Sequence, residues 1–291
     1  MPKFFDINRL HHLIDLLGPE RLTRVVDIGA NPLDESPYYK LRDAKLCEVW
    51  GFEPQPEAYA QLVESAGSQE HYLPYAVGCG GEQTLNVYRS SGFTSFYEPN
   101  PDWLATLGKW DKQLTLKEKL DVVGHRLDDI EGLPEFDLLK IDVQGAETQI
   151  FEEGGKKLSE ACAVISEVAA IPIYQDQPLL NAQMSVLERY GYSLHKFLFF
   201  KPRALHGSKL SKRLRPRFHA NQLTDGDAVF LRNLLNLDKV ESEKLKHLAI
   251  LADSVFESFD VAALSLTELL KRGEISEESA NSYVDQLHKT T

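Results

Sequence analysis

The sequence predicts an α/β protein with a mostly parallel sheet, an antiparallel pair at one sheet edge and a helical extension at the C-terminus. Short β-branched runs alternate with segments of helical periodicity, the pattern of βαβ units. The last two strand runs are separated by a loop without a strong helix, which suits an antiparallel pair. After Arg232 turn residues thin out while Leu, Ala, Glu and Lys accumulate.

Ile7, Leu10, Leu13, Ile14 and Leu17 recur at helical spacing, and Gly18-Pro19 ends that helix. Residues 24–29 (RVVDIG) form a β-branched run closed by glycine, a buried strand and its turn. Residues 46–52 repeat the pattern, and a short helix follows over 57–64 after Pro56. Further strands are expected at 71–77, 83–88, 120–126, 137–143, 161–168, 193–200 and 227–232, with clear helices at 147–153 and 178–190. In the extension, Leu245, Leu248, Ala252, Val255, Phe256 and Phe259 mark one helical face. Asp260 is positioned to cap a second helix ending at Gly273, and Ser276 a third. The expected organisation is thus a domain over 1–232, including the N-terminal helix, and a helical extension over 233–291 that docks on it or self-associates into a homo-oligomer.

With 291 residues, 43% apolar and 26% charged, the chain has ordinary globular usage and ample length for a core. Its net charge of −12 argues against gripping nucleic acid or an anionic bilayer with the whole surface. One local exception is residues 201–217, with seven Lys and Arg and no acid. Cys47, Cys79 and Cys162 lie far apart without C-x-x-C spacing, so no zinc ribbon or disulfide framework is expected and a cytoplasmic setting is. No secretory pattern opens the chain, and no run approaches the ~20 apolar residues of a membrane span.

Ligands of open α/β sheets bind beyond the carboxyl ends of the strands. Those ends carry Asp27-Ile28-Gly29-Ala30-Asn31, Glu53-Pro54, Gly78-Cys79-Gly80-Gly81, Asp142-Val143-Gln144-Gly145 and Glu167. A carboxylate after the second strand, here Glu53, suits a ribose diol. A dinucleotide needs G-x-G-x-x-G, yet after Gly29 the next glycine is Gly51; Gly155-Lys156 lacks the rest of a P-loop. A phosphate-free nucleoside such as S-adenosylmethionine needs only one tight turn, a carboxylate and backbone N–H groups, which Asp27, Gly29 and Asn31 can supply.

The segments 27–31 (DIGAN), 52–54 (FEP), 76–78 (AVG), 127–129 (LDD) and 140–147 (KIDVQGAE) together resemble the FkbM-type methyltransferases, over roughly residues 22–232. The resemblance implies a Rossmann-like class I methyltransferase fold, S-adenosylmethionine as methyl donor and hydroxyl groups of carbohydrates or natural products as acceptors. Two positions depart from the family pattern. Pro32-Leu33 stands where a second glycine is usual, and Gln144 where many members have Glu.

Cofactor contacts are expected from Asp27, Gly29, Ala30, Asn31, Phe52, Glu53, Pro54, Ala76, Val77 and Asp142, with Phe52 and Val77 about the base and Cys79 near it. Asp142 either lines the transfer site or holds Lys140, which shares its face of the strand. Asp142 and Glu167, and less so His125, are the candidate general bases; no third oxygen ligand is evident for a metal, and none is expected. Glu147, following a glycine at a helix start, suits the helix dipole. Residues 90–119 with Trp103 and Trp110 form either a lid or acceptor wall or a surface insertion. The basic 201–217 loop is either solvated or faces an acidic acceptor. Two other functions remain open: a binding protein that holds the nucleoside without transfer, and a nicotinamide oxidoreductase, which the missing glycines disfavour.

Overall fold

The computed structural model describes residues 4–33, 35–232 and 234–290. Its strands are β1 (Thr23–Ile28), β2 (Cys47–Phe52), β3 (Glu70–Leu73), β4 (Ala76–Val77), β5 (Gly81–Tyr88), β6 (Leu116–His125), β7 (Leu138–Ile141), β8 (Ala163–Ala169), β9 (Tyr192–Arg203) and β10 (Gln222–Arg232). Its α-helices are α1 (Ile7–Leu17), α2 (Tyr39–Asp43), α3 (Pro56–Ser65), α4 (Pro101–Leu107), α5 (Glu147–Glu153), α6 (Gly155–Leu158), α7 (Leu180–Arg189), α8 (Pro216–His219), α9 (Ser242–Ser254), α10 (Phe259–Lys271) and α11 (Glu277–Thr290).

Seven strands form one sheet in the order β3-β2-β1-β7-β8-β10-β9. β3 through β8 in that order are mutually parallel. β10 runs against both β8 and β9. The expected antiparallel pair therefore lies at one edge, with the reversed strand inserted one place in from it. The order reverses at β1, which has β2 on one side and β7 on the other, so the crevice expected of a doubly wound sheet opens above the tips of β1 and β7.

Two sequence expectations need correction. Residues 71–77 are not one strand. Pro74, which has no N–H for a ladder, separates β3 from β4, and the two enter different sheets. The runs near 83–88 and 120–126 do not join the main sheet; β5 and β6 form an antiparallel pair that makes, with β4, a separate three-stranded sheet. Alternating apolar residues announce a strand but not its sheet.

Successive residues of the central strands feed opposite layers. Val25, Val49, Leu138, Ile165 and Val229 pack with α1, α9, α10 and α11. Val26, Phe52, Leu139, Val164 and Phe230 pack with α5 and α7. The C-terminal helices thus share one continuous core with the sheet. Asn233 and Thr291, the limits of the expected extension, lie outside the described residues. Ser258, not Asp260, is the N-cap of α10, and Ser276 Oγ accepts from Ser279 N at 3.0 Å at the start of α11.

Buried polar contacts fix the docking. Arg9 Nε on α1 donates to Asp253 Oδ2 on α9 at 2.7 Å, and Tyr283 Oη on α11 donates to the same oxygen at 2.9 Å. A charged buried acceptor makes each such bond matter. Tyr283→Phe is expected to lower the unfolding free energy by ~1.5–3 kcal/mol, read as a lower urea midpoint; an unchanged midpoint would remove this bond from the docking.

Candidate functional site

A cavity of about 860 Å³ lies over the crevice. Its wall includes Gly29, Asn31, Phe52, Glu53, Pro54, Ala76, Val77, Asp142 and Glu167, bringing together most of the residues singled out in the sequence. Asp27, Ala30, Cys79 and His125 do not line it.

The floor is the turn after β1. Gly29 has φ +80°, and a Cβ there would meet the Asp142 carbonyl oxygen at 2.0 Å. Gly29 N and Ala30 N both donate to Phe52 O, at 3.0 and 3.1 Å, tying this turn to the end of β2. Asn31 Oδ1 accepts from Leu33 N at 3.2 Å, so an Asx turn shapes the chain where a second glycine would otherwise serve. Asp27 sits beneath the turn. Its Oδ2 accepts from Tyr38 Oη at 2.7 Å and Ser36 Oγ at 3.4 Å, and its Oδ1 pairs with Lys140 Nζ at 3.2 Å. Lys140 also donates to Gly29 O at 3.4 Å. Its burial opposes the charge, but Asp27 first, then Asp142 and Asp227, hold the ammonium above its ordinary value. Lys140 is therefore held by Asp27, which leaves the Asp142 carboxylate for the cavity.

Glu53 ends β2 and is 3% exposed. Its Oε1 accepts from Gln55 N at 2.8 Å. Burial pushes its carboxyl up to about 7, against the Gln55 hydrogen bonds that lower it. Beside it stand Phe52 and Tyr75, rings stacked with centroids 6.4 Å apart; His125 stacks on Tyr75 at 4.2 Å and so is packed behind the wall. Tyr75, in the break between β3 and β4, lines the cavity and was not among the sequence candidates.

At the other side, the turn after β7 carries Gln144 at φ 57° and Gly145 at φ 114°. A non-glycine residue in this region costs ~1–2 kcal/mol and is held here by its contacts. Gln144 Nε2 donates to Asp142 Oδ1 at 2.9 Å and to Glu167 Oε2 at 2.7 Å, while its Oε1 accepts from Tyr174 Oη at 3.0 Å. Ser95 Oγ donates to Gln144 O at 2.6 Å, and Tyr174 Oη also contacts Phe93 O at 2.9 Å. The 91–97 segment is thereby anchored over the carboxylates, and Phe93, Thr94, Phe96 and Trp110 form cavity wall.

Burial first, then Asp142 and Glu147, push Glu167 well above the usual carboxylate range. Glu147 supplies the third oxygen ligand absent from the sequence reading: Asp142, Glu147 and Glu167 offer oxygens all within 4.8 Å of one another. These oxygens already have protein donors. Val143 N and Gly145 N donate to Glu147 Oε1 at 3.0 and 3.1 Å, and a cation would have to displace the Gln144 amide. Asp225 and Asp227 on β10 complete the acidic side; Asp227 pairs in register with Glu167, and burial and Asp142 raise it to about 6.

A family model, the methyltransferase FkbM domain, matches residues 27–194, more than half of the chain. The chain belongs to the FkbM methyltransferase family. Its similarity to 2-O-methyltransferase NoeI from Sinorhizobium fredii (strain NBRC 101917 / NGR234) is 25% identity over 185 residues, 57% of this chain and 71% of that protein. Among solved structures, magnesium protoporphyrin IX methyltransferase ChlM from Synechocystis PCC 6803 aligns at 11% identity and TM-score 0.37, over 78% of this chain and 79% of that one. Precorrin-6y C5,15-methyltransferase from Geobacter metallireducens GS-15 aligns at 12% identity and TM-score 0.36, over 80% and 92%. The FkbM match ends at residue 194, so most of β9, all of β10 and the C-terminal helices lie beyond the matched region. No helix among the described residues is long and apolar enough to cross a membrane.

Proposed function

We propose that this FkbM methyltransferase binds S-adenosylmethionine in the cavity and methylates a hydroxyl oxygen of a small-molecule acceptor of the carbohydrate or natural-product class. The observation that carries the reading is the placement of Glu53 and the Asp142–Glu167 pair on opposite sides of one cavity. Glu53 accepts from the ribose diol, Phe52 and Tyr75 offer apolar faces to the base, and the Gly29 turn lets backbone approach the amino-acid end. The acidic wall favours a sulfonium cation and opposes a pyrophosphate, in line with the missing glycine cradle. When bound, the cofactor supplies an electrophilic methyl carbon. The cavity would hold the acceptor hydroxyl in line with that carbon, and a carboxylate of the Asp142–Glu167 pair would take the hydroxyl proton. The 2-O-methyltransferase activity of the NoeI relative supports oxygen as the acceptor atom. Arg203, over the Trp110 ring at 5.6 Å, has a buried Nε with no hydrogen-bond partner, which supports an anionic acceptor group. A second reading, nucleoside binding without transfer, draws on Gln144 occupying both carboxylates; bound S-adenosylhomocysteine without turnover on a broad acceptor panel would favour it.

Titration calorimetry with S-adenosylhomocysteine tests the site. Glu53→Ala is expected to weaken binding by ~1–3 kcal/mol, the cost of hydroxyls left without their acceptor; unchanged affinity would remove Glu53 from the ribose. The raised carboxyl adds a pH signature. The ionised form accepts with either oxygen, so affinity is expected to rise as pH climbs through about 7 in the wild type and not in Glu53→Gln. The stability effect has the opposite sign. Between the ordinary 4.5 and about 7 the folded apoprotein holds the extra proton, so this group's stabilisation is full below 4.5 and is lost as pH rises.

A further inference from the structure

Between Arg203 at the end of β9 and Gln222 at the start of β10, the chain first packs on the end of α4, where His206 N and Gly207 N donate to Leu107 O and Thr106 O at 3.3 and 2.9 Å, and then continues as an exposed strap. Lys201 and Arg203, just before it, line the cavity, as do Phe197 and Phe199 on the same strand. Residues 212–219 are all exposed. Leu210 is 75% exposed, Leu214 50% and Phe218 69%, spaced every four residues. Single exposed apolar side chains are ordinary on a surface, but a run of them with no cover marks a contact site.

Between these apolar residues lie Lys209, Lys212, Arg213, Arg215 and Arg217. None of the five makes an ion pair with a described residue, and no acid occurs in residues 201–217. In a chain of net charge −12 with 44 acids, leaving five cations unpaired beside bare Leu and Phe is a sharp local asymmetry. The combination of bare apolar and basic side chains suits one kind of surface. Leu and Phe side chains reach an acyl layer while Lys and Arg remain at the level of anionic headgroups. A protein partner would instead need an apolar socket ringed with acids.

We propose that the strap docks this protein on an anionic lipid bilayer, with the cavity rim beside the lipid surface. The rest of the acidic molecule is repelled by such a surface, so attraction confined to one strap sets the orientation. Docking needs neither cofactor nor turnover, so it stands or falls separately from the methyl-transfer reading.

The test is co-sedimentation of the full chain with vesicles of phosphatidylcholine alone or with phosphatidylglycerol added. Binding is expected only to the anionic vesicles and to weaken with salt. Each Lys or Arg changed to Gln among Lys212, Arg213, Arg215 and Arg217 is expected to weaken it about fivefold. Leu210→Ser with Phe218→Ser is expected to cost at least about tenfold while leaving the urea midpoint unchanged, since both residues are exposed. Equal binding to neutral vesicles, or none to anionic ones, overturns the proposal. So does full retention of binding in the Leu210→Ser, Phe218→Ser variant, or a dimer of the wild type that this variant dissolves.

Discussion

Gly29→Ala is expected to abolish measurable binding of S-adenosylhomocysteine and to destabilise the fold, the largest effect of any single methyl group in the site. The position is adverse twice. Its φ of +80° is a conformation that L side chains rarely adopt, and the added Cβ would lie 2.0 Å from the Asp142 carbonyl oxygen and 3.0 Å from its carbon. Both are backbone atoms of a strand end, so no side chain can rotate away. Ile28 pairs with Ile141, and Asp142 N donates to Ile28 O at 3.0 Å, so relief requires parting the tips of β1 and β7. Strained φ and overpacking each cost ~1–3 kcal/mol, and the movement carries Asp142 off the cavity wall. Gly18→Ala is the control. Gly18 also has positive φ, +52°, but a Cβ there meets nothing within 4 Å. It should cost only ~1–2 kcal/mol and leave affinity untouched. Urea denaturation and calorimetry on both variants decide the matter; wild-type affinity in Gly29→Ala would show that the turn is not part of the ligand site.

The main sheet was legible in the sequence because its strands are buried on both faces and read as apolar runs closed by a turn or an acid. The same rule located Glu53 and Asp142, each one residue past a parallel strand, and Glu167 near the carboxyl end of β8. It could not locate Asp225 and Asp227. β10 runs antiparallel, so its first residues, not its last, lie beside the end of β8. The polar Asp225-Gly226-Asp227 stretch ahead of an apolar run was the available signal. Glu147 read as a dipole-favoured helix residue; in the structure its carboxylate accepts from Val143 N and Gly145 N in the turn before α5, and burial pushes it up to about 7. Only the fold of the Gln144-Gly145 turn brings its oxygens toward Asp142 and Glu167. Asp27 shows the converse: its place in a recognisable motif says nothing of its direction, and the carboxylate turns under the loop to Tyr38 and Lys140.

Asp142→Asn and Glu167→Gln are expected to separate the proton acceptor from its neighbour. Removing a general base lowers turnover by ~10²–10⁴, with affinity for S-adenosylhomocysteine nearly unchanged if the carboxylate acts on the acceptor alone. The geometry makes the two acids inequivalent. Both accept from one Gln144 amide, but burial and the charges of Asp142 and Glu147 push Glu167 well above the ordinary carboxylate range. A base of raised pKa is present in its active form only as pH rises past that value, so turnover limited by Glu167 climbs with pH. Glu167→Gln would then remove that limb as well as the rate. If Asp142 is the acceptor, Asp142→Asn takes the rate, and Glu167→Gln leaves most of it while abolishing the like-charge repulsion between them. A pH–rate profile of the three proteins distinguishes these outcomes. Wild-type turnover in both variants would remove the pair from the proton transfer and leave alignment in the cavity as the source of catalysis.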